Sequence, residues 1–105
     1  MTIVHTNDHT GARIFEWDDA KNRGNIAKHG IPFEYATEIF AGRVLVAEDV
    51  RKGYGEPRWR AIGVMLGTVI AIAYTVRGER IRIITARKAS RNESHAYQAF
   101  CHSVA

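Results

Sequence analysis

Apolar positions along this chain change their period several times, and the changes mark out the elements. Arg13–Trp17 (RIFEW) alternates and is rich in β-branched and aromatic residues, which predicts a short strand. At Asp18 the alternation stops. Asp18 can accept hydrogen bonds from the open N–H groups of a helix running to about His29, and Gly30 supplies its C-terminal stop. Pro32 suits the first turn of a second helix, about Phe33–Ala41, with Phe33, Ala36, Ile39 and Phe40 on one face and Gly42 at its end. Period two returns in Arg43–Glu48, Trp59–Leu66, Val69–Val76 and Arg80–Arg87. Asp49–Arg58 (DVRKGYGEPR) reads as a charged loop, and Gly67-Thr68 and Gly78-Glu79 read as tight turns. Val69–Val76 is apolar on both faces, which places it centrally in a sheet. Ser90-Arg91-Asn92-Glu93 is a capping box that opens a last helix to about His102, with Ala96, Tyr97, Phe100 and Cys101 inward.

The predicted order is β-α-α-β-β-β-α. Short turns between the later strands force antiparallel pairing, so the fold class is α+β: one small domain, a twisted antiparallel sheet with packed helices. That domain spans residues 13–105. Residues 1–12 (MTIVHTNDHTGA) are polar with little periodicity and read as a loosely ordered leader, with at most a short extended piece. A length of 105 residues matches a single domain.

Charge changes the picture more than composition does. The net charge is +4, but it is unevenly placed. Residues 51–91 carry ten Lys/Arg and two acids, whereas residues 1–50 carry five Lys/Arg and eight acids. A basic second half points to a polyanionic partner such as nucleic acid. Cys101 is the single cysteine, so an intrachain disulfide and a Cys-based zinc site are both excluded, and a reducing cytoplasm is the expected location. His5 and His9 lack companions at ligand spacing, so no metal site is expected, and no cofactor. No basic-then-apolar secretory signal stands at the N-terminus, and the longest apolar stretch, Val69–Tyr74, is too short to cross a bilayer, so no membrane association is expected.

The candidate chemistry lies in YTVRGERIRIITARKASR, Tyr74–Arg91, where Arg77, Arg80, Arg82, Arg87, Lys88 and Arg91 share a strand-like segment with the single acid Glu79. A planar guanidinium can donate two parallel hydrogen bonds to phosphate oxygens, and a rigid strand aims it. Strict alternation puts Arg80, Arg82, Ile84 and Ala86 on one face and Ile81, Ile83, Thr85 and Arg87 on the other. Arg82 and Arg87 stand inside the apolar strand, so each is exposed, paired or aimed at a ligand. Glu93 and Glu34 are the candidate partners for Arg87. Arg77 and Arg80 flank a turn and read as surface charge.

On the first helix Lys21, Asn25 and Lys28 fall within an arc of about 60°, with His29 beside them. This is either a solvated face or a second cationic wall opposite the arginine strand. His29 is a candidate for proton transfer, or else it simply caps the helix. RNA can be cut without a metal when its 2′-hydroxyl is deprotonated and the adjacent phosphate is stabilised, and His29 with Lys21, Arg82 and Arg87 could supply such a set. Tyr54, Trp59 and Tyr74 could stack bases or pack a core. Gly-rich phosphate loops, a Ser-His-Asp order and paired catalytic carboxylates do not appear.

Two blocks, FEWDDAKNRGNIAKHGIPFEYA from Phe15 to Ala36 and YTVRGERIRIITARKASRNE from Tyr74 to Glu93, with RWRAIG from Arg58 to Gly63 between them, resemble the BrnT family of type II toxins. The resemblance covers roughly residues 13–100. It implies a small ribonuclease with a RelE-like fold that cuts RNA and blocks translation. It also implies a BrnA-like ribbon-helix-helix antitoxin, a 2:2 complex, and operator DNA bound by that complex. The motif positions carried over are Trp17, Asp18, Lys21, Asn22, Asn25, Lys28, His29, Gly30, Phe33, Glu34, Arg58, Thr75, Arg77, Arg82, Arg87 and Glu93. Gly30, Phe33, Asp18 and Glu93 have structural roles as helix stop, core and caps. The expected catalytic residues are Lys21, His29, Arg82 and Arg87, and the expected substrate-binding residues are Asn25, Lys28, Thr75, Arg77 and Arg80. Pro32 departs from the small polar cap usual before Phe-Glu.

Overall fold

A computed structural model describes residues 2–5 (backbone only), 14–50, 53 and 55–103. The chain forms β1 (Thr2–His5), β2 (Ile14–Glu16), α1 (Asp19–His29), α2 (Phe33–Ala36) continuing as a 3-10 turn over Thr37–Ala41, β3 (Arg43–Asp49), β4 (Arg58–Met65), β5 (Thr68–Arg77), β6 (Arg80–Lys88) and α3 (Arg91–Ser103). The strands make one sheet in the order β1-β3-β4-β5-β6-β2. The fold is α+β, and each helix and strand expected from residue 14 onward is present.

Three details differ from the pattern-based expectation. The sheet is antiparallel except at one edge, where β2 runs parallel to β6 with Phe15 opposite Ile81 and Glu16 opposite Arg82. Part of the segment read as a leader, Thr2–His5, pairs with the outer edge of β3, Thr2 opposite Val46. The β4–β5 turn sits one residue earlier than expected, on Leu66 and Gly67, both with positive φ (49° and 79°). A two-residue turn of that hand matches the twist of the strands it joins.

Local chemistry explains the elements. The Asp18 carboxylate accepts from Lys21 N at 3.0 Å and caps α1, and that hydrogen bond holds its carboxyl below the usual range. Gly30, at φ 72°, ends the helix with its N–H bonded to Ile26 O. Pro32 precedes α2 and has no side chain with which to cap it. Asn22 does the capping from α1 instead: its Oδ1 accepts the Phe33 N–H at 2.9 Å.

The sheet has two unequal faces. α2 and the 3-10 turn cover one, burying Phe33, Ile39, Phe40, Val44, Ala61, Ile70, Ile72, Tyr74, Ile81, Ile83 and Ala86, with Phe15, Trp17 and Trp59 packed at the margin. Gly63 lets this layer approach: a Cβ there would lie 2.8 Å from Ile39 Cβ. On the other face α3 covers only one end, where Tyr97 and Phe100 meet Leu45, Ile62 and Ala71. Among the described residues no element covers the rest of that face. No helix among the described residues is long and apolar enough to cross a membrane.

Candidate nucleic-acid interface

Register decides what the open half presents. Across the ladders Asp49 stands opposite Arg58, Ala47 opposite Arg60, Arg60 opposite Ala73, Thr75 opposite Arg82, and Arg77 opposite Arg80. Partners in a ladder point to the same face, so Arg58, Arg60, Arg77, Arg80 and Arg82 share the face that Ala71 defines at its covered end. Arg87 joins them because of a bulge. The β5–β6 register steps from Tyr74↔Ile83 to Ala73↔Thr85 and leaves Ile84 as the extra residue. Beyond it Ala86 turns to the core and Arg87 stands opposite Ala71. Strict alternation had put Ala86 with the arginines and Arg87 against the core, and the bulge reverses both. Six arginines therefore surround a floor of small residues, Ala47, Ala73 and Thr85.

Carboxylates hold these arginines in place. Glu93, at the start of α3, takes both ends of Arg87 (Nη1–Oε1 2.7 Å, Nη2–Oε2 3.0 Å) and Nη1 of Arg60 at 3.2 Å. The same carboxylate accepts Ser90 N at 2.8 Å, closing the capping box, while Glu93 N donates to Ser90 Oγ at 3.2 Å. The Arg87 hydrogen bonds, outweighing the opposing effect of burial, lower the Glu93 pKa to about 2. Glu34 is exposed, so of the two partners foreseen for Arg87 the structure has Glu93. On the parallel edge Glu16 bonds Arg82 at 2.8 Å and Arg80 at 3.3 Å, and these bonds, Arg82's first, lower its pKa. Arg77 meets Glu56 at 3.3 Å on the rim.

Two depressions meet at the bulge. One, of about 90 Å³, is lined by Asp49, Arg60, Ala71, Ile72, Ala73, Thr85 and Arg87. The other, about 310 Å³, lies between α1 and β6, lined by Lys21, Gly24, Asn25, Lys28 and His29 on the helix and Ile84 and Thr85 on the strand. Thr85 belongs to both. The expected catalytic residues are thus distributed: Lys21 and His29 along the sheet edge, Arg87 in the smaller depression, and Arg82 on the same open face bonded to Glu16. Lys28 lies with Lys21 and His29, while Arg77 and Arg80 stand at the exposed margin.

Two residues expected to bind substrate are instead committed to the fold. Asn25 is buried. Its Nδ2 donates to Ile31 O at 2.9 Å and to Ala86 O at 2.8 Å, and its Oδ1 accepts Ala86 N at 3.1 Å. The amide thereby continues the ladder where β2 has ended and clamps α1 to β6. Thr75 is 1% exposed, and its hydroxyl donates to Pro57 O at 2.7 Å. Of the aromatics considered for stacking, Tyr74 is buried in the core beside Phe40 and Trp59 packs on that same core, because both point to the opposite face. Tyr54 lies outside the described residues, as do the side chains of His5 and His9. Pattern reading missed Asp49 and Arg60 as wall residues and the bond from Glu93 to Arg60. Alternation along Arg58–Gly63 signals Arg60, whereas nothing local signals the other two.

Fold and site together define a small α+β domain with a cationic, half-open sheet face. Residues 17–93 match the family of the ribonuclease toxin, BrnT, of type II toxin–antitoxin systems, and the chain belongs to that family. An RNA substrate and an antitoxin partner go with membership. The match runs from Trp17, at the approach to α1, to Glu93, and so takes in both depressions. Among curated proteins no relative matches the chain.

Proposed function

We propose that this toxin is a metal-independent endoribonuclease that draws RNA across the open sheet face and cuts it beside the bulge. The observation that carries this reading is the convergence of Arg58, Arg60, Arg77, Arg80, Arg82 and Arg87 on one face, with the Lys21, Lys28 and His29 depression adjoining at Thr85. In-line attack of a 2′-hydroxyl on its neighbouring phosphate builds negative charge on the phosphoryl oxygens, and guanidinium donors held in advance stabilise that charge. Arg87 and Arg82 are suited to this task. His29, exposed at the end of α1, is suited to move a proton, with Lys21 beside it supplying positive charge. Lys28, Arg77 and Arg80 would hold flanking phosphates. Cleavage of cytoplasmic RNA would inhibit translation. A BrnA-like ribbon-helix-helix antitoxin, in a 2:2 complex that also binds operator DNA, would neutralise the toxin by covering this face.

The test is cleavage of a defined RNA in EDTA by the wild-type chain and by Arg82→Ala, Arg87→Ala and His29→Ala, with folding checked by circular dichroism. Wild-type cleavage should persist in EDTA, and each folded variant should lose roughly 100-fold or more in rate. One observation favours a second reading. Arg60, Arg77, Arg80, Arg82 and Arg87 already have carboxylate partners, an arrangement that also suits a docking surface for an antitoxin or nucleic acid without catalysis. A folded wild type that leaves RNA intact, alone and with ribosomes, would establish that reading in place of the first.

A further inference from the structure

We propose that Glu93 is a positioning residue for RNA: it aligns Arg87 and Arg60 as a paired phosphate clamp over the depression they line with Asp49 and Thr85. The inference rests on the reading of this face as the RNA site. Glu93 enters the face from α3, whereas the two arginines come from β6 and β4, which are not neighbours in the sheet. β5 separates them, and at that point it contributes only Ala71 and Ala73 to the face. The Glu93 carboxylate spans the gap, taking Arg87 end-on through two bonds and Arg60 through one.

Glu56 and Glu93 hold their arginines differently. Glu56 meets the exposed Arg77 at 3.3 Å, a pair that a phosphate can replace at little cost. The Glu93 side chain is 12% exposed and is locked on its far side by Ser90 N, so it stays in place when a phosphate arrives. Arg60, whose side chain is 44% exposed, is bonded to it through one Nη1 and keeps its outer edge toward solvent. A guanidinium fixed by a carboxylate behind it loses less freedom on meeting phosphate than one that must first be ordered.

Charge alone makes the opposite prediction. Removing an acid from a cationic face strengthens its attraction for a polyanion, so Glu93→Gln should tighten RNA binding if Glu93 acts merely as a charge. If it positions the arginines, the same change weakens binding. The measurement is the affinity of the whole chain for an uncleavable 2′-O-methyl RNA oligonucleotide, for wild type, Glu93→Gln and Ser90→Ala. Ser90→Ala removes the reciprocal cap bond without touching either arginine and so controls for a loosened α3. The expected result is a Kd raised about tenfold in Glu93→Gln and within about twofold of wild type in Ser90→Ala. A Kd that is unchanged or lower in Glu93→Gln, or equal losses in both variants at equal loss of Tm, would overturn the proposal. Cleavage of unmodified RNA by the wild type is scored separately. If the wild type binds the oligonucleotide but cuts no RNA, the nuclease reading fails and the clamp is still judged by its own Kd values. A wild type that does not bind the oligonucleotide at all overturns the clamp.

Discussion

Asn25 and Arg87 sit on adjacent elements and both carry several hydrogen-bond donors, yet their environments give them opposite duties. Asn25 is 6% exposed, and its whole amide is taken up by Ile31 O and by both backbone groups of Ala86. Replacing it with alanine leaves three buried backbone groups unsatisfied, each costing on the order of 1–3 kcal/mol before any rearrangement. Asn25→Ala should therefore lose about 3 kcal/mol of stability, read as a fall of roughly 10–20 °C in Tm. A loss below about 1 kcal/mol would mean that water takes over the ladder position and that the amide is not the clamp between α1 and β6. Arg87 also stands in an apolar strand, but its guanidinium is turned out of the core and held by Glu93. Spacing along their elements and the family motif made both of them site candidates, and burial separates them.

At the scale of elements, the start of α3 and the end of β6 are coupled through one carboxylate. Glu93 closes the capping box and binds Arg87, and its pKa falls from 4.5 to about 2. A carboxyl with a depressed pKa in the folded state contributes stability that is fully present above about 4.5 and is lost as pH falls toward about 2. At neutral pH Glu93→Gln should melt below the wild type. Between about pH 4.5 and 2 the wild-type Tm should fall faster, so that the two curves converge at the acid end. Parallel curves across that range would show that the carboxylate is not the group being titrated. The bulge at Ile84 is the other device at this scale. By adding one residue to β6 it lets Ile83 and Ala86 both face the core, while Arg82 and Arg87 both face outward.

For the whole molecule the sheet acts as a partition. The apolar layer and its aromatic residues lie on one side, and the cationic half-face lies on the other beyond the reach of α3. Binding through six arginines on a rigid surface is a phosphate-counting interaction. For single-stranded nucleic acid the slope of log affinity against log salt is about −0.7 per phosphate engaged. With four to six phosphates held, the 2′-O-methyl oligonucleotide should show a slope of about −3 to −4 between low and physiological salt. A slope near −1 would leave room for a single phosphate contact and would remove the open face as the RNA track.

How much of this was legible along the chain follows from the range of the interactions involved. The caps of α1 and α3, the glycine stop at Gly30, the strand periods and the concentration of arginine after residue 51 are local, acting over one to four residues, and the sequence by itself determined them. The motif blocks identified the family for the same reason, since they preserve spacing. Four outcomes depended on distant partners: the parallel docking of β2, the bulge that turns Arg87 outward, the burial of Asn25 and Thr75, and the joining of Arg60 to Arg87 through Glu93. Each is set by backbone groups or charges many residues apart, such as Asn25 with Ala86 and Arg60 with Glu93, which only the closed sheet brings within hydrogen-bonding distance.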